Sequence, residues 1–341
     1  MTNDTPPNDP TVNATLSALI EGHTLSEQDA RALFHAILDG RSSVPQTTAA
    51  LALIQARGVT ADELTGAARV MREHVTPVPA DDDLRPHLVD TCGTGGAPKT
   101  FNISTAAALI AAGAGNAAAA DNRPRTAVAK HGNRSRTGRG SAEVLAKLGI
   151  NIDASPEQQA RCLQDAGVCF SFAIRHHPAM VHAANPRKAL PTPTVFNLLG
   201  PLTNPAGATR QLLGVYDQRF VPLLAETLAR LGAERAIVAH GDDGLDEITT
   251  TATTTLAHIT DAGVTNQSLD PTHLGLATAS LEDLAATTVE DAADIIRNIL
   301  DGQHGPHRDI ASLNAAAAIL CSGVADSLED ALERARHAID A

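Results

Sequence analysis

Two glycine-bearing segments carry the residues best suited to chemistry. The first reads Val89-Asp90-Thr91-Cys92-Gly93-Thr94-Gly95-Gly96 and continues to Thr100-Phe101-Asn102-Ile103-Ser104-Thr105. Glycines after a short apolar strand let backbone amides approach an anion without a Cβ clash. Asn102, Ser104 and Thr105 then stand where a helix opens, which is a natural phosphate site. The plainer reading is a strand-to-helix turn with helix caps. The segment has neither G-x-G-x-x-G nor the Gly-Lys-Ser/Thr end of a P-loop, so dinucleotide and ATP sites are disfavoured.

The second segment is Lys130-His131-Gly132-Asn133-Arg134-Ser135. It follows a strand expected over 126–130, and open α/β sheets bind ligands at such strand ends. Its alternative is a solvated basic turn. A third run, His240-Gly241-Asp242-Asp243-Gly244-Leu245-Asp246-Glu247, places adjacent carboxylates after another strand. Carboxylates so placed suit a Mg²⁺ ion that also carries substrate phosphate. Asp242 and Asp243 compete with Asp246 and Glu247 for that role, and all four could equally be an acidic loop.

Further along, His176-His177-Pro178-Ala179-Met180 precedes Asn185-Pro186-Arg187-Lys188. Adjacent histidines point apart, which argues against a joint metal site. Pro178 reads as a helix start with His177 near its N-cap. Arg187 could pair a carboxylate through its planar fork, or lie on the surface. The run from Val195 through Phe196-Asn197-Leu198-Leu199-Gly200-Pro201 to Pro205 carries no reactive group and reads as a rigid turn.

These segments need a scaffold. Residues 14–75 read as consecutive helices. Ser26 caps one whose stripe is Leu33, Phe34, Ile37 and Leu38; Gly58 ends the next; Thr60 with Glu63 forms a capping box for a third. Pro77, Pro79 and three aspartates at 81–83 mark a linker. Strands expected at 88–90, 126–130, 168–173 and 235–240 then alternate with helices at 104–112, 141–148, 156–165, 221–231 and 289–300. This alternation predicts an α/β domain with a mostly parallel sheet. Residues 116–127 lack apolar periodicity and contain Pro124, so they read as a surface-loop insertion.

The 341 residues suit two domains better than one. The net charge of −13 argues against nucleic-acid binding. Four cysteines without C-x-x-C spacing read as reduced thiols of a cytoplasmic protein. No apolar run looks long enough to span a membrane. Residues 1–13 read as a disordered tail, with no signal-peptide core.

Taken in order, the Gly93, Thr100, Lys130, His176, Phe196 and Asp246 motifs resemble those of the anthranilate phosphoribosyltransferases, from about residue 14 onward. The resemblance implies a small all-helical N-terminal domain, 14–76 with a contribution from about 178–190. It also implies a large α/β domain over 84–341, with the site between the two, and a homodimer joined through the helical domains. The implied reaction transfers 5-phosphoribose from phosphoribosyl pyrophosphate to the amine of anthranilate, releasing pyrophosphate. Ser104, Asp246 and Glu247 would hold Mg²⁺. Phosphoribosyl pyrophosphate would meet Gly93, Gly96, Ala97, Thr100, Asn102, Ile103, Ser104 and Thr105. From the second loop it would meet Lys130, His131, Gly132, Asn133, Arg134, Ser135, Arg136, Thr137 and Gly138, and then Ser141. Anthranilate would meet Gly93, Asn133, Pro201 and Arg187, the last at its carboxylate. Lys130 and His131 are the catalytic candidates. The aryl amine is neutral at pH 7, so positioning and charge stabilisation suffice.

The chain departs from that pattern in places. Ala97 stands where relatives usually carry Asp, Pro193 where many carry Arg, and the loop after Ser135 is one residue short, with arginines that can substitute as phosphate ligands. A pyrimidine nucleoside phosphorylase is the alternative within the same fold. The Asp246-Glu247 pair and the Asn197–Pro205 turn match the transferase instead.

Overall fold

Local side-chain chemistry sets where the first helices start. The computed structural model describes residues 9–120, 123–135 and 138–341. Helix α1 (Pro10–Ile20) opens where Asp9 accepts from the Thr11 amide, with proline in its first turn. The expected tail therefore ends earlier than Asn13: Val12 is already buried in the core, and residues 1–8 lie outside those described. Ser26 caps α2 (Glu27–Leu38). Reciprocal capping boxes, Ser43 with Gln46 and Thr60 with Glu63, open α3 (Val44–Arg57) and α4 (Ala61–Glu73).

The chain then alternates. β1 (Leu88–Gly93) leads to α5 (Ile103–Ala120) and β2 (Ala127–Gly132). Next come α6 (Ser141–Lys147), α7 (Pro156–Ala166), β3 (Val168–Phe172) and the short α8 (Ala173–His176). A 3-10 turn at Pro178–Met180 opens α9 (Val181–Ala189), and α10 (Val195–Leu199) follows. The rest runs β4 (Arg210–Gly214), α11 (Phe220–Arg230), β5 (Arg235–Gly241), β6 (Thr254–Thr260), β7 (Gly263–Leu269), α12 (Val289–Leu300), α13 (Pro306–Ser322) and α14 (Leu328–Asp340).

Seven strands form one sheet in the order β3-β2-β1-β4-β5-β6-β7. The first five are parallel and β6 and β7 add antiparallel edges. Both faces of the centre are covered, so its strands are almost wholly buried, polar Asp90, Lys130 and His131 included. Successive residues serve opposite faces. Leu212 and Ile237 join the core under α5, α12, α13 and α14. Leu213 and Val238 join the core shared by α11 and the N-terminal helices. α9 packs against α2 and α3, and α10 against α4.

Two expectations need correction. Residues 116–120 belong to α5, not to a loop: the Ala117–Ala120 run has the highest helix propensity of any residue, so the helix continues past its apolar stripe. Of the expected 116–127 insertion, 121–122 lie outside the described residues. α5 is also long and apolar enough to cross a membrane by length and composition, but more than half of it is buried, against β1, α13 and α14.

Candidate active site

The strand order reverses at β1. From there the chain goes outward to β2 and β3, then returns to set β4 on the other side of β1. The crevice beyond the C-terminal ends of β1 and β4 is where such sheets take ligands. Gly93 and Gly214 are register partners at that edge. Both must be glycine because the Asp246 turn lies on them. A Cβ at Gly93 would stand 2.5 Å from Asp246 Oδ2, and one at Gly214 would stand 1.6 Å from the Asp246 carbonyl oxygen. The Gly95 amide donates to Asp246 Oδ2 at 2.9 Å. Glu247 Oε1 accepts from the Ser104 amide at 3.1 Å. That amide lies in the first turn of α5, where a helix favours negative charge.

Lys130 reaches the same point from β2. It is 3% exposed, and its Nζ donates to the Thr91 carbonyl at 2.7 Å and to Ser104 Oγ at 3.1 Å. Asp90, equally buried, accepts from the His131 amide at 3.0 Å. One ammonium thus lies in the field of three carboxylates, the buried Asp90 and the half-buried Asp246 and Glu247. Burial pushes the Asp90 carboxyl up to about 6 against the pull of the His131 amide. Burial and then the Asp246 charge push Glu247 up to about 8. Burial also raises Asp246, and it lowers Lys130. A site short of positive charge and lined by carboxylate and hydroxyl oxygens fits a hard divalent cation such as Mg²⁺. Asp242 and Asp243 do not compete for it. Asp243 accepts from Thr249 Oγ1 and the Leu245 amide, and Asp242 from Thr253 Oγ1, so both brace their own loop.

The other expected anion ligands ring this cluster. Gly96, with φ of +100°, lies over Tyr216. Ala97 is half-buried beyond it. The Thr100 hydroxyl turns back to the Phe101 carbonyl. Ile103 puts its side chain into the core, so only its backbone faces outward chemistry. Thr105 Oγ1 is buried with no partner among the described residues. Gly132 ends β2, and Asn133 Oδ1 accepts from the Arg134 amide. Ser141 Oγ donates to the Asn133 carbonyl at 3.4 Å. Arg134 lies over the Phe172 ring. Ser135 Oγ accepts from the Arg139 amide, and the Ser135 carbonyl accepts from the Gly138 amide. Arg136 and Thr137 lie outside the described residues. Arg139 is the more telling member of that shortened loop. Its carbonyl accepts from Asn102 Nδ2 at 3.3 Å, and its Nη1 is buried without a partner among the described residues.

A second, more apolar side starts at His131. Its ring meets His177, Nε2 to Nε2 at 3.2 Å, and the Gly200 backbone beside Pro201. Pro201 is buried, and its carbonyl accepts from Gln211 Nε2. The expected rigid turn is α10 followed by a 3-10 turn, Gly200–Leu202. Arg187 stacks over Phe196 of α10 at 5.3 Å. It is half-buried, and burial lowers its pKa with no carboxylate opposing. No ion pair engages it among the described residues. A half-buried guanidinium over an aromatic ring, with no ion pair among the described residues, can pair a carboxylate through its planar fork. The paired histidines do diverge: His176 turns to the Thr76 carbonyl and Gln159, away from His177's partner.

Sequence reasoning missed Asp90, His177 and Gly214. A carboxylate inside an otherwise apolar strand was the available signal for Asp90; the other two depend on contacts distant in sequence. His177 has a consequence for stability. Burial, then His176, holds it down to about 4, and burial and His177 hold His131 well below its usual range. Unfolded histidines protonate near 6.5, so stability is full above pH 6.5 and is lost as pH falls towards 4. His177 alone should remove about 2 kcal/mol at pH 5. Urea denaturation of the wild type and His177→Gln at pH 7 and pH 5 measures this. The variant should show the shallower loss, and equal losses would refute the assignment.

Two family models match: the helical bundle domain of a glycosyl transferase family over 14–75, and its a/b domain over 85–341. The chain is 46% identical to anthranilate phosphoribosyltransferase of Thioalkalivibrio sulfidiphilus over 330 residues, covering 95% of this chain and 93% of that one. The chain belongs to the anthranilate phosphoribosyltransferase family. The crystal structure of that family's member from Thermus thermophilus is 37% identical, covers 95% of this chain and 94% of its own, and superposes with a TM-score of 0.86. The Saccharomyces cerevisiae enzyme in complex with phosphoribosyl pyrophosphate and Mg shares the fold at 24% identity, with a TM-score of 0.84 over 98% of this chain and 94% of that one.

Proposed function

We propose that this protein transfers the 5-phosphoribosyl group of phosphoribosyl pyrophosphate to the amine of anthranilate, in tryptophan biosynthesis. The products are N-(5-phosphoribosyl)anthranilate and pyrophosphate. The observation that carries the reading is the pairing of two unlike subsites: the Lys130, Ser104, Asp246 and Glu247 cluster at the switch point, and the anion-free Arg187 beside Phe196.

The pyrophosphate side is Gly93, Gly96, Ala97, Thr100, Asn102 to Thr105, Lys130 to Gly138 and Ser141. There the α5 N-terminus and Lys130 stabilise charge that grows as the C1–O bond breaks. Arg139 joins them on the strength of its buried, unpartnered Nη1. Ser104, Asp246 and Glu247 would hold Mg²⁺. Bound there, the ion supplies Lewis-acid neutralisation of the leaving group. On the acceptor side Arg187 holds the carboxylate, while Asn133, Gly93 and Pro201 set the ring and His131 closes its path. The neutral aryl amine needs no general base. Positioning it against C1 is the main work.

The helical block, 14–76 with about 178–190, forms one domain in this reading and 84–341 the other. Exposed Ile20, Val44 and Val181 on that block support a homodimer joined there. Four free cysteines support a reducing, cytoplasmic setting.

Loss of anthranilate fluorescence on mixing with phosphoribosyl pyrophosphate and Mg²⁺, blocked by chelator, tests the activity. No loss from folded protein would refute it, and phosphorolysis of thymidine or uridine would then be measured. Arg187→Ala should raise the anthranilate KM by about 10- to 100-fold, as expected for losing a charged hydrogen bond, with the KM for phosphoribosyl pyrophosphate unchanged. Equal changes in both would remove Arg187 from the acceptor site.

A further inference from the structure

The helical block carries a second cluster of ligating side chains. Its first two members are on α2: His35 lies in the last turn and Asp39 is the C-cap four residues on. His74 is the C-cap of α4. One ligating atom from each of His35, Asp39 and His74 lies within 4.8 Å of the other two. We propose that these side chains form a binding site for a transition-metal dication of the Zn²⁺ class, separate from the carboxylate cluster at the sheet.

Two of the three ligands, His74 and Asp39, are held by outer partners. His74 Nδ1 lies 2.9 Å from the Val70 carbonyl, which turns Nε2 to Asp39 Oδ1, also at 2.9 Å. A ligating histidine whose other nitrogen donates to a carbonyl is the usual way its tautomer is fixed. Asp39 Oδ2 accepts from Arg41 at 3.1 Å, which leaves Oδ1 to His74. Glu73 repeats the pattern: Oε1 accepts from Arg31 at 2.9 Å, while Oε2 is 3.1 Å from His35 Nε2. Glu73 is therefore the neighbouring fourth donor.

The chemistry selects the ion. Two imidazoles with a carboxylate suit Zn²⁺ or Co²⁺, whereas Mg²⁺ prefers oxygen donors alone. Ligand bonds of about 2.0–2.2 Å in a tetrahedron put ligand atoms about 3.4 Å apart. The side chains need to close by little more than an ångström. The C-terminal ends of α2 and α4 also converge here, and both helix dipoles present their negative ends to the ion. His35 and His74 are 33% and 24% exposed, so a metal can enter without opening the fold.

The test uses the full chain, freed of metal by dialysis against chelator and then held in saturating Mg²⁺ to occupy the carboxylate cluster. Co²⁺ titration should give visible ligand-field absorption at one equivalent per chain, which Zn²⁺ abolishes by competition, and Zn²⁺ should raise Tm. His35→Ala and His74→Ala should each weaken binding by more than about 100-fold, beyond the effect of losing an outer-shell partner. His35→Gln gives the same answer if an alanine variant fails to fold. Asp246→Asn with Glu247→Gln should leave Co²⁺ binding intact. Absorption that survives in the histidine variants, or a wild type with neither absorption nor a Tm rise, would overturn the site.

Discussion

Converting Asp246 to Asn and Glu247 to Gln together should abolish Mg²⁺-dependent turnover, a loss of at least about 1,000-fold. Single donors aimed at developing charge are worth about 100- to 1,000-fold, and this change removes the charge of both carboxylates of the cation site. The shapes are nearly kept. The replacing carboxamides can still offer an oxygen to the Gly95 and Ser104 amides, which hold the native carboxylates at 2.9 and 3.1 Å. The variant should therefore fold. In the absence of Mg²⁺ it should even be more stable than the wild type, because burial already drives both carboxyls upward from their ordinary range. Steady-state pyrophosphate release against Mg²⁺, with Tm measured in chelator, reads both quantities. Turnover that keeps the wild-type Mg²⁺ dependence would remove these residues from the cation site.

That site was legible because its chemistry is local in sequence. Glycines 93, 95 and 96, the hydroxyls opening α5 and the Lys130 loop each sit at a strand end, and strand ends converge in a parallel sheet. Two of the capped N-terminal helices were legible for the same reason: Ser26 and Thr60 act within three residues of themselves, whereas the Ser43 cap was not read. What escaped depends on packing. β4 is five residues, buried on both faces, so it shows no alternation. β6 and β7 pair with each other at the sheet edge, and β7 is exposed along most of its length. Their polar sequence reads as loop. α13 is nearly all buried, which erases the polar face that marks a helix. The Gly214 requirement is set by Asp246, thirty-two residues on, and the His131–His177 contact spans forty-six. Asp90 shows locally only as a carboxylate inside a buried strand. Its meaning comes from the His131 amide on the neighbouring strand.

Lys130→Met should lower kcat/KM for phosphoribosyl pyrophosphate by about 100- to 1,000-fold and leave the anthranilate KM nearly unchanged. Methionine keeps an unbranched stem of similar reach, so packing around β2 survives. What disappears is the ammonium between the Thr91 carbonyl and Ser104 Oγ. Two roles for that charge predict different outcomes. Lys130 balances Asp90, Asp246 and Glu247 in a dry place. Removing Lys130 leaves the buried Asp90 without its cation, a change that costs about 3–5 kcal/mol, so the variant should be much less stable in chelator. Added Mg²⁺ supplies positive charge to the same carboxylates and should restore most of that stability. The leaving group is another matter. If Lys130 also meets the departing pyrophosphate, Mg²⁺ restores the fold and the rate stays low. Urea denaturation and initial rates, each with and without Mg²⁺, separate the two roles. A rate that recovers in step with stability would show that Lys130 only balances the carboxylates and takes no part in the transfer.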